Sequence, residues 1–538
     1  LFFKNTYGVE IQQHLDEIRA RLGDATRLVI EAPPGAGKTT CVPPALADAP
    51  WGSGGRVVVL EPRRLAARAA AYRMASLAGE PVGKSVGYRT RMDSKVSAAS
   101  RVVVVTEGVL TRMIQNTPSL DGVDTVIFDE FHERSVHADL ALALMREVQD
   151  ALRPDLRIVV MSATLEGDRL SSFLDTCPRI DVPGRMFDVE TRYAPPSDRA
   201  RLDDATASVV RRALNEEEGS ALVFLPGAGE IERVRKKLGA RDLPENVTVM
   251  TLYGAMSRAA QDAAITPAPD GMRKVVLSTN LAETSLTIEG VRIVIDSGLS
   301  RAAVYDPVSG MTRLVTRPSS RASAAQRCGR AGRVETGVCY RLWSRGEDVS
   351  RPAHDPPEIF EADMAPLALE LACWGVGSPD ELRWLDPPPA GTYAGARDLL
   401  GQLGAIDDTG IVTPHGREMA KLGAHPRLAH MMLAAHAEKA GAMACVCAAV
   451  LSERDILPPD AAACDADIRV RIDLVAKKGE GGRAHHVAAA ARLWQRRLHC
   501  GHSTSGREDP GRVLAYAYPD RIARRRTGAG NAYVMANG

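Results

Sequence analysis

From Arg27 to Trp343 the chain repeats one pattern: a short run of β-branched residues, a turn of small or polar residues, then a helical stretch. The apolar runs RLVIEA, GRVVVLEP, SRVVVVTEG, VDTVIFDE and LRIVVMSAT come first, and ALVFLPG, VTVMTLYG, RKVVLSTN, VRIVIDSG and GVCYRLW follow. Val and Ile in unbroken runs suit strands covered on both faces, and strands that alternate with helices connect in parallel. The pattern predicts an α/β architecture. Ten such runs divide better between two sheets than one, and the Pro-rich, charged stretch Asp181–Ala200 is the natural linker.

Beyond about Ser344 the strand runs stop. EADMAPLALELACWGV and ARDLLGQLGAI have helical spacing, DDTGIVTPHGREMAKLG predicts a tight hairpin entering a helix, and PRLAHMMLAAHAEKAGAMACVCAAVLS predicts a continuing Ala-rich helix. The last residues, AYAYPDRIARRRTGAGNAYVMANG, begin a β-like segment and stop, so we expect a chain cut within its last domain. A length of 538 residues exceeds one hydrophobic core and predicts about three to five domains.

Composition removes several classes of function. Basic and acidic residues number 68 and 67, so any polyanion must be held by local placement of Arg and Lys rather than by net charge. Nine Cys lack a disulfide spacing, and the one close pair, Cys445 and Cys447, has no further Cys or His at zinc-ligand distance; reduced thiols are expected. No secretory leader or bilayer-length apolar run is present in the sequence, so we expect a cytoplasmic protein with no membrane partner. Aromatic residues make up only 4%, too few for base stacking on Phe or Tyr platforms to be the main grip on nucleic acid.

Two stretches carry chemistry. In APPGAGKTT the spacing from Ala32 to Lys38 follows a phosphate loop, although the strict pattern has Gly at the position of Ala32. The strand LVIEA precedes it and TTCVPPALAD opens a helix after it. Gly35, Ala36 and Gly37 would turn backbone N–H groups toward phosphate oxygens, Lys38 would reach the β and γ phosphates, and Thr39 would hold Mg²⁺ beside Thr40. In TVIFDEFHERS, Asp129 and Glu130 stand just past a buried strand, where open parallel sheets place ligands. Asp129 is the second Mg²⁺ candidate, and Glu130 is the group to polarise an attacking water. A zinc-protease helix is excluded, because His132 and His137 are five apart rather than four. A solvated charge run fits poorly after Val126, Ile127 and Phe128.

These motifs, with EPRRLAARAAAYRMA, TEGVL, MSATL, FLPGAGEI, STNLAETSLTI and QRCGRAGR in that order, closely resemble the DEAH-box helicases of superfamily 2, most similar to the bacterial HrpB branch. Phe131 replaces the Ala usual in the acidic box, as it does in that branch. The resemblance covers Ala32 to Arg333 motif by motif and continues more loosely to the end. It implies two tandem RecA-like domains, residues 1–185 and 186–348, then a winged helix (349–423), a ratchet-like helical bundle (424–512) and the start of a truncated OB-fold (513–538). A further branch-specific domain would follow.

The same resemblance assigns residues. Arg330 and Arg333 would act as arginine fingers from the second domain and Gln326 would orient water or the γ phosphate; their spacing places all three on one helical face. A finger is worth roughly 10³ to 10⁵ in rate, so supplying it from a second domain makes hydrolysis conditional on closure. Ser162 and Thr164 would couple to the strand path through His132. Arg63, Arg64, Thr106, Gly108, Gly227, Thr279, Asn280 and Thr284 would line a groove that holds phosphate and sugar without reading sequence. Arg73 matches an arginine that clamps adenine, whereas Ile265 stands where an aromatic would close the clamp. Weak base selectivity is expected, with ATP and other NTPs accepted. The implied activity is NTP-driven 3′-to-5′ movement on single-stranded RNA with duplex unwinding; a nucleotide-gated interaction protein and a DNA translocase are the alternatives. Two domains in one chain supply a whole site, so a monomer is expected.

Overall fold

The computed structural model describes residues 10–33, 35–51, 54–91, 93–163, 167–183, 187–197, 200–239, 243–283, 288–333, 335–453, 455–457, 465–477, 482–501, 509–527 and 532–536. The chain divides into two compact units, one formed by Leu1–Ala362 with Leu382–Pro387 and the other by Asp363–Glu381 with Pro388–Gly538.

The first unit holds two sheets. In chain order the strands of the first are β1 (Arg27–Glu31), β2 (Arg56–Leu60), β3 (Val86–Arg89), β4 (Ser94–Lys95), β5 (Val102–Val105), β6 (Val123–Phe128), β7 (Arg157–Ser162) and β8 (Arg179–Asp181). They lie in the order β4-β3-β5-β2-β6-β7-β1-β8. Only the β3–β4 pairing is antiparallel. The second sheet uses β9 (Val189–Tyr193), β10 (Ser220–Phe224), β11 (Val247–Leu252), β12 (Arg273–Ser278), β13 (Val291–Asp296) and, after an antiparallel hairpin of β14 (Leu299–Asp306) and β15 (Met311–Pro318), β16 (Gly337–Arg341). Its order is β11-β12-β10-β13-β16-β9. All of its pairings are parallel. Helices cover both faces, so the Val and Ile of β2, β5, β7 and β10 are almost wholly buried. This is why those strands show no polar alternation.

Each of the ten apolar runs forms a strand. The stretch Asp181–Ala200 is more than a linker: Asp181 closes β8 at one edge of the first sheet, and Val189–Tyr193 is the edge strand of the second. Leu65, on the helix Arg64–Leu77 of the first sheet's half, packs against the second sheet's apolar cluster around Leu222, Val276 and Ile288.

The second unit is mostly helical. Helices Ala365–Trp374 and Ala390–Gln402 precede a tight turn whose flanks pair at Ile406 and Val412, and helix Pro414–Leu422 follows. The expected continuing Ala-rich helix is two helices, Pro426–Ala437 and Gly441–Ser452. Between them Lys439 takes φ 65°, and the Ala440 N–H bonds back to the Ala435 carbonyl, which reverses the chain. Trp494 of helix Gly482–Arg497 is buried and donates its Nε1–H to the Leu422 carbonyl at 3.1 Å. The terminal β-like segment is one antiparallel pair, Ala523–Arg525 with Tyr533–Met535.

Among the described residues no helix is long and apolar enough to cross a membrane, and the described cysteines are all free.

Candidate active site

The tips of four neighbouring strands of the first sheet build the site. Parallel pairing sets Ile30 beside Met161, Phe128 beside Val160 and Leu60 beside Phe128, so the chain leaves β1, β2, β6 and β7 at one edge. After β1, the Ala32 N–H bonds to the Ser162 carbonyl, and the turn that follows places Gly35 at φ 94° and Gly37 at φ 89°. Side chains with a Cβ rarely adopt that region, which is why both positions are glycine. Lys38 and Thr39 then open the helix Lys38–Ala47. The Lys38 ammonium is 4% exposed and donates to the carbonyls of Ala32 and Pro33. Ala36 is buried, Gly35 is exposed, and Thr40 Oγ1 donates to the Gly37 carbonyl at 3.3 Å.

Asp129 is buried, and its backbone N–H bonds to the Leu60 carbonyl at 3.0 Å. Its Oδ2 accepts from Thr39 Oγ1 at 2.5 Å and its Oδ1 from the Glu130 N–H at 2.8 Å. Burial and the neighbouring Glu130 charge push its carboxyl up to about 6, against the pull of Lys38 and the Thr39 hydroxyl. Glu130 takes φ 48°, a strained conformation for a residue with a Cβ, costing about 1–3 kcal/mol. Burial would raise its carboxyl, but His132, Lys38, Arg330 and Arg63 together hold it below its ordinary value. His132 Nε2 stands 3.4 Å from Glu130 Oε2. His132 Nδ1 accepts from the Ala163 N–H at 3.3 Å, so a neutral ring carries its proton on Nε2, facing Glu130. The backbone of Ala163 thus joins the MSATL motif to His132; Ser162 is buried at the end of β7, and Thr164 lies outside the described residues.

The second sheet's half contributes the arginines. Helix Arg321–Cys328 carries Gln326 but ends before Arg330, so the three residues do not share a helical face. Past Cys328 the chain winds on by bonds from the N–H groups of Arg330, Ala331 and Gly332 to carbonyls three residues back, tighter than an α-helix. Gly332 is required there: its carbonyl accepts from the Phe187 N–H at 2.9 Å, and a Cβ would fall 2.4 Å from the Phe187 carbonyl oxygen. Arg330 is 4% exposed and donates its Nε–H to the Glu283 carbonyl at 2.9 Å. Burial pulls its guanidinium well below the ordinary value, the adjacent Arg333 adds to this, and Glu130 opposes it. Burial likewise brings Arg333 down to about 10, again against Glu130. A Cβ on Gly35 would lie 4.0 Å from Arg333 Nε. The two halves of the site therefore face each other in one unit.

Three residues missed in the sequence support this arrangement. Arg327 is 1% exposed, bridges Glu283 at 2.8 Å and Asp296 at 2.9 Å, and lies over the Phe224 ring. It anchors the helix that leads to Arg330. Glu61, just past β2, is fully buried beside Asp129; burial first, then Asp129, Glu130 and Glu133, raise its carboxyl well above the usual range. A carboxyl directly after a Val run is a readable strand-tip signal. Arg134 closes the acidic loop with contacts to Asp139 and Asp386.

The groove residues are spread more widely. Arg63 donates to Glu133 Oε2 at 3.1 Å and to the Asn280 carbonyl at 3.0 Å, which ties the two halves together. Arg64 is exposed, Thr106 caps the helix Glu107–Asn116 from an extended backbone, and Gly108 faces open space. Gly227 lies under the Arg301 guanidinium, whose NH1 would be 2.4 Å from a Cβ. Thr279 caps a short turn and Thr284 lies outside the described residues. Arg73 is exposed on its helix, and Ile265 is half-buried against the second sheet's apolar cluster.

Thr39 and Asp129 offer hard oxygens side by side, which fits Mg²⁺. That ion is held by one or two protein oxygens, with water and substrate phosphate completing the shell.

Residues 11–173 match the DEAD/DEAH box helicase family, and residues 204–335 match the helicase conserved C-terminal domain. Together these matches take in most strands of both sheets and more than half of the chain. The chain belongs to the DEAD/DEAH-box helicases. Its two sheets are the RecA-like domains of that family, followed by a largely helical region. It is 44% identical over 524 residues to the ATP-dependent RNA helicase HrpB of Escherichia coli K12, covering 97% of this chain and 62% of that protein. To the pre-mRNA-splicing factor ATP-dependent RNA helicase prp22 of Schizosaccharomyces pombe it is 37% identical, over 76% of this chain and 35% of that one. Two crystal structures of E. coli HrpB, described as a DEAH/RHA helicase and a DExH-box NTPase, match with TM-scores of 0.88 and 0.84 at 43% identity. Each covers 99% of this chain, which spans 66% and 64% of theirs. The chain thus spans a little over three fifths of the HrpB length.

Proposed function

We propose that this chain is an NTP-driven translocase that hydrolyses ATP, moves 3′ to 5′ on single-stranded RNA and unwinds duplexes. The observation that carries the reading is the placement of Arg330 and Arg333, from the second RecA-like domain, beside Glu130 and the Gly35 turn of the first. Phosphoryl transfer asks mainly for positioning and for positive charge around the transferring group. Lys38, Arg330 and Arg333 supply that charge from two sides.

In this reading Gly35, Ala36, Gly37, Lys38, Thr39 and Thr40 hold the triphosphate and Arg73 contacts the base. Thr39 and Asp129 would hold Mg²⁺, which would supply positive charge to the triphosphate. Glu130 takes a proton from the attacking water at its carboxylate, with its charge maintained by His132 and Lys38. Gln326 orients the water, and Arg330 and Arg333 stabilise the charge that develops. Ser162 and Thr164 pass the state of the site toward the groove. Arg63, Arg64, Thr106, Gly108, Gly227, Thr279, Asn280 and Thr284 contact the strand backbone. The helical region supplies a winged helix, a ratchet-like bundle and the start of an OB-fold within the boundaries given above. The protein acts as a cytoplasmic monomer.

The half-buried Ile265 offers no aromatic face to a base, so GTP and UTP should be turned over with kcat/KM within about tenfold of ATP. The deciding experiment is steady-state hydrolysis with no strand, with single-stranded RNA and with DNA of the same sequence, beside Glu130→Gln as a blank. Stimulation by RNA above DNA supports the reading. Equal stimulation makes the protein a general strand translocase, and none makes it a nucleotide-gated interaction protein.

A further inference from the structure

The acidic loop is held in a strained form, and what holds it reaches outside the motif. Glu130 and Arg134 both take φ 48°, on either side of the single turn Phe131–Glu133. Neither residue is Gly, so the turn keeps this shape only if its surroundings impose it. Arg134 is the residue on which those restraints converge. Its guanidinium is 6% exposed, meets both carboxylate oxygens of the buried Asp139 at 3.1 and 3.2 Å, and lies over the Phe131 ring. Phe131 in turn packs edge-on against Phe128 at the end of β6. The Arg134 carbonyl accepts from the Glu358 N–H at 3.0 Å, and Glu358 Oε2 accepts from the Val136 N–H at 3.1 Å.

A further partner is Asp386, whose Oδ2 accepts from Arg134 NH2 at 2.6 Å. Asp386 also pairs with Arg169, and Arg169 donates to the Leu385 carbonyl at 2.9 Å. Residues 382–387 pack with the first unit, yet the chain enters them from Glu381 and leaves them at Pro388, both in the helical unit. The same segment has a further attachment, Arg383 to Asp175 at 3.1 Å, on residues remote in sequence from the acidic loop.

We infer that Arg134 is a positioning residue for hydrolysis, and that its pairing with Asp386 ties the geometry of Glu130 and His132 to a segment whose two ends both continue into the helical unit. The inference rests on the functional reading above for the role of Glu130. A shift of residues 382–387 pulls on the guanidinium that sets the far end of the strained turn. The turn is three residues long, so its other end, Glu130, moves with it.

The test is steady-state ATP hydrolysis by the full chain carrying Arg134→Lys, Asp386→Asn, Asp386→Glu, the Arg134→Lys/Asp386→Asn pair, or Arg383→Gln, each with and without single-stranded RNA. Asp386→Asn should lower kcat about five- to tenfold with KM for ATP within about twofold, and Asp386→Glu should recover most of it. The double variant should be no worse than Arg134→Lys alone, because both act through one tie. Arg383→Gln, which loosens the same segment elsewhere, should leave kcat within about twofold. The inference is overturned if Asp386→Asn keeps full kcat, if the two losses multiply, or if Arg383→Gln reproduces the loss, since the segment would then matter only for docking. Every comparison is read in the arm without RNA, so a wild-type chain that RNA fails to stimulate removes the translocase reading and leaves this result standing.

Discussion

Thr39 and Asp129, 90 positions apart in the chain, meet through one hydrogen bond from the Thr39 hydroxyl to the Asp129 carboxylate. That bond joins the start of the helix after the phosphate turn to the tip of β6, and it sets side by side two hard oxygens that would suit magnesium. Thr39→Val keeps the shape and removes the oxygen. It should raise the magnesium concentration for half-maximal hydrolysis by about 10- to 100-fold, read from a magnesium titration at saturating nucleotide.

Glu130→Gln should lower kcat by about 10² to 10⁴ while nucleotide affinity, measured with a fluorescent analogue, stays within about threefold. The amide retains a hydrogen bond to water but takes no proton from it. Retention of full turnover would move the water-activating role to another group.

Arg330 and Arg333 should each prove necessary for hydrolysis. Removing either guanidinium should cost about 10³ in single-turnover hydrolysis. Arg330 also donates to the Glu283 carbonyl from a buried position, so Arg330→Ala should lower the melting temperature as well.

Gly332→Ala tests the close passage of two chain segments. The added methyl would fall 2.4 Å from the Phe187 carbonyl oxygen, so the backbone must shift. A loss of about 1–3 kcal/mol is expected in denaturant unfolding, with a fall in kcat from displacement of Arg330 and Arg333. A variant with wild-type stability and turnover would show that the segments slide apart freely.

Glu107 gives a pH dependence of stability. Burial is the main cause that pushes its carboxyl up to about 8 from an ordinary 4.5; the Ser135 hydroxyl opposes this, and Glu358, Glu133 and Asp139 add to it. Below 4.5 the group is protonated in folded and unfolded chains alike and costs nothing. Between 4.5 and about 8 the unfolded chain releases the proton and the folded chain keeps it, so stability falls as pH rises and the loss is complete above about 8. Glu107→Gln should match wild type near the acid end and exceed it by a few kcal/mol, of order, at about pH 8.5, measured by urea unfolding.

The sequence made the interior of both sheets legible because their strands are buried on both faces, and an unbroken Val run such as Val102–Val105 has no other stable home. Edge elements were not. Val189–Tyr193 carries a Glu and an Arg and forms a sheet border, and the hairpin β14–β15 is largely exposed, so neither shows an apolar run. At the Lys439 break the left-handed position itself is not Gly, and the nearby Gly441 opens the next helix instead. The motifs led to the Lys38 turn and the acidic loop directly, since each follows a strand. The three-and-four spacing of Gln326, Arg330 and Arg333 gave the wrong local shape, because spacing does not show where a helix stops. Arg134 was hidden for a different reason. Its partner Asp386 is 252 positions away, and nothing in the residues between them links the two.

Leu65 leaves its own domain to rest in the apolar cluster of the other. Parting the two lobes must bring that side chain and its neighbours into water, an expense of up to roughly 1–3 kcal/mol for a side chain of this size. That burial holds the lobes together, an attraction that any motion separating them has to overcome.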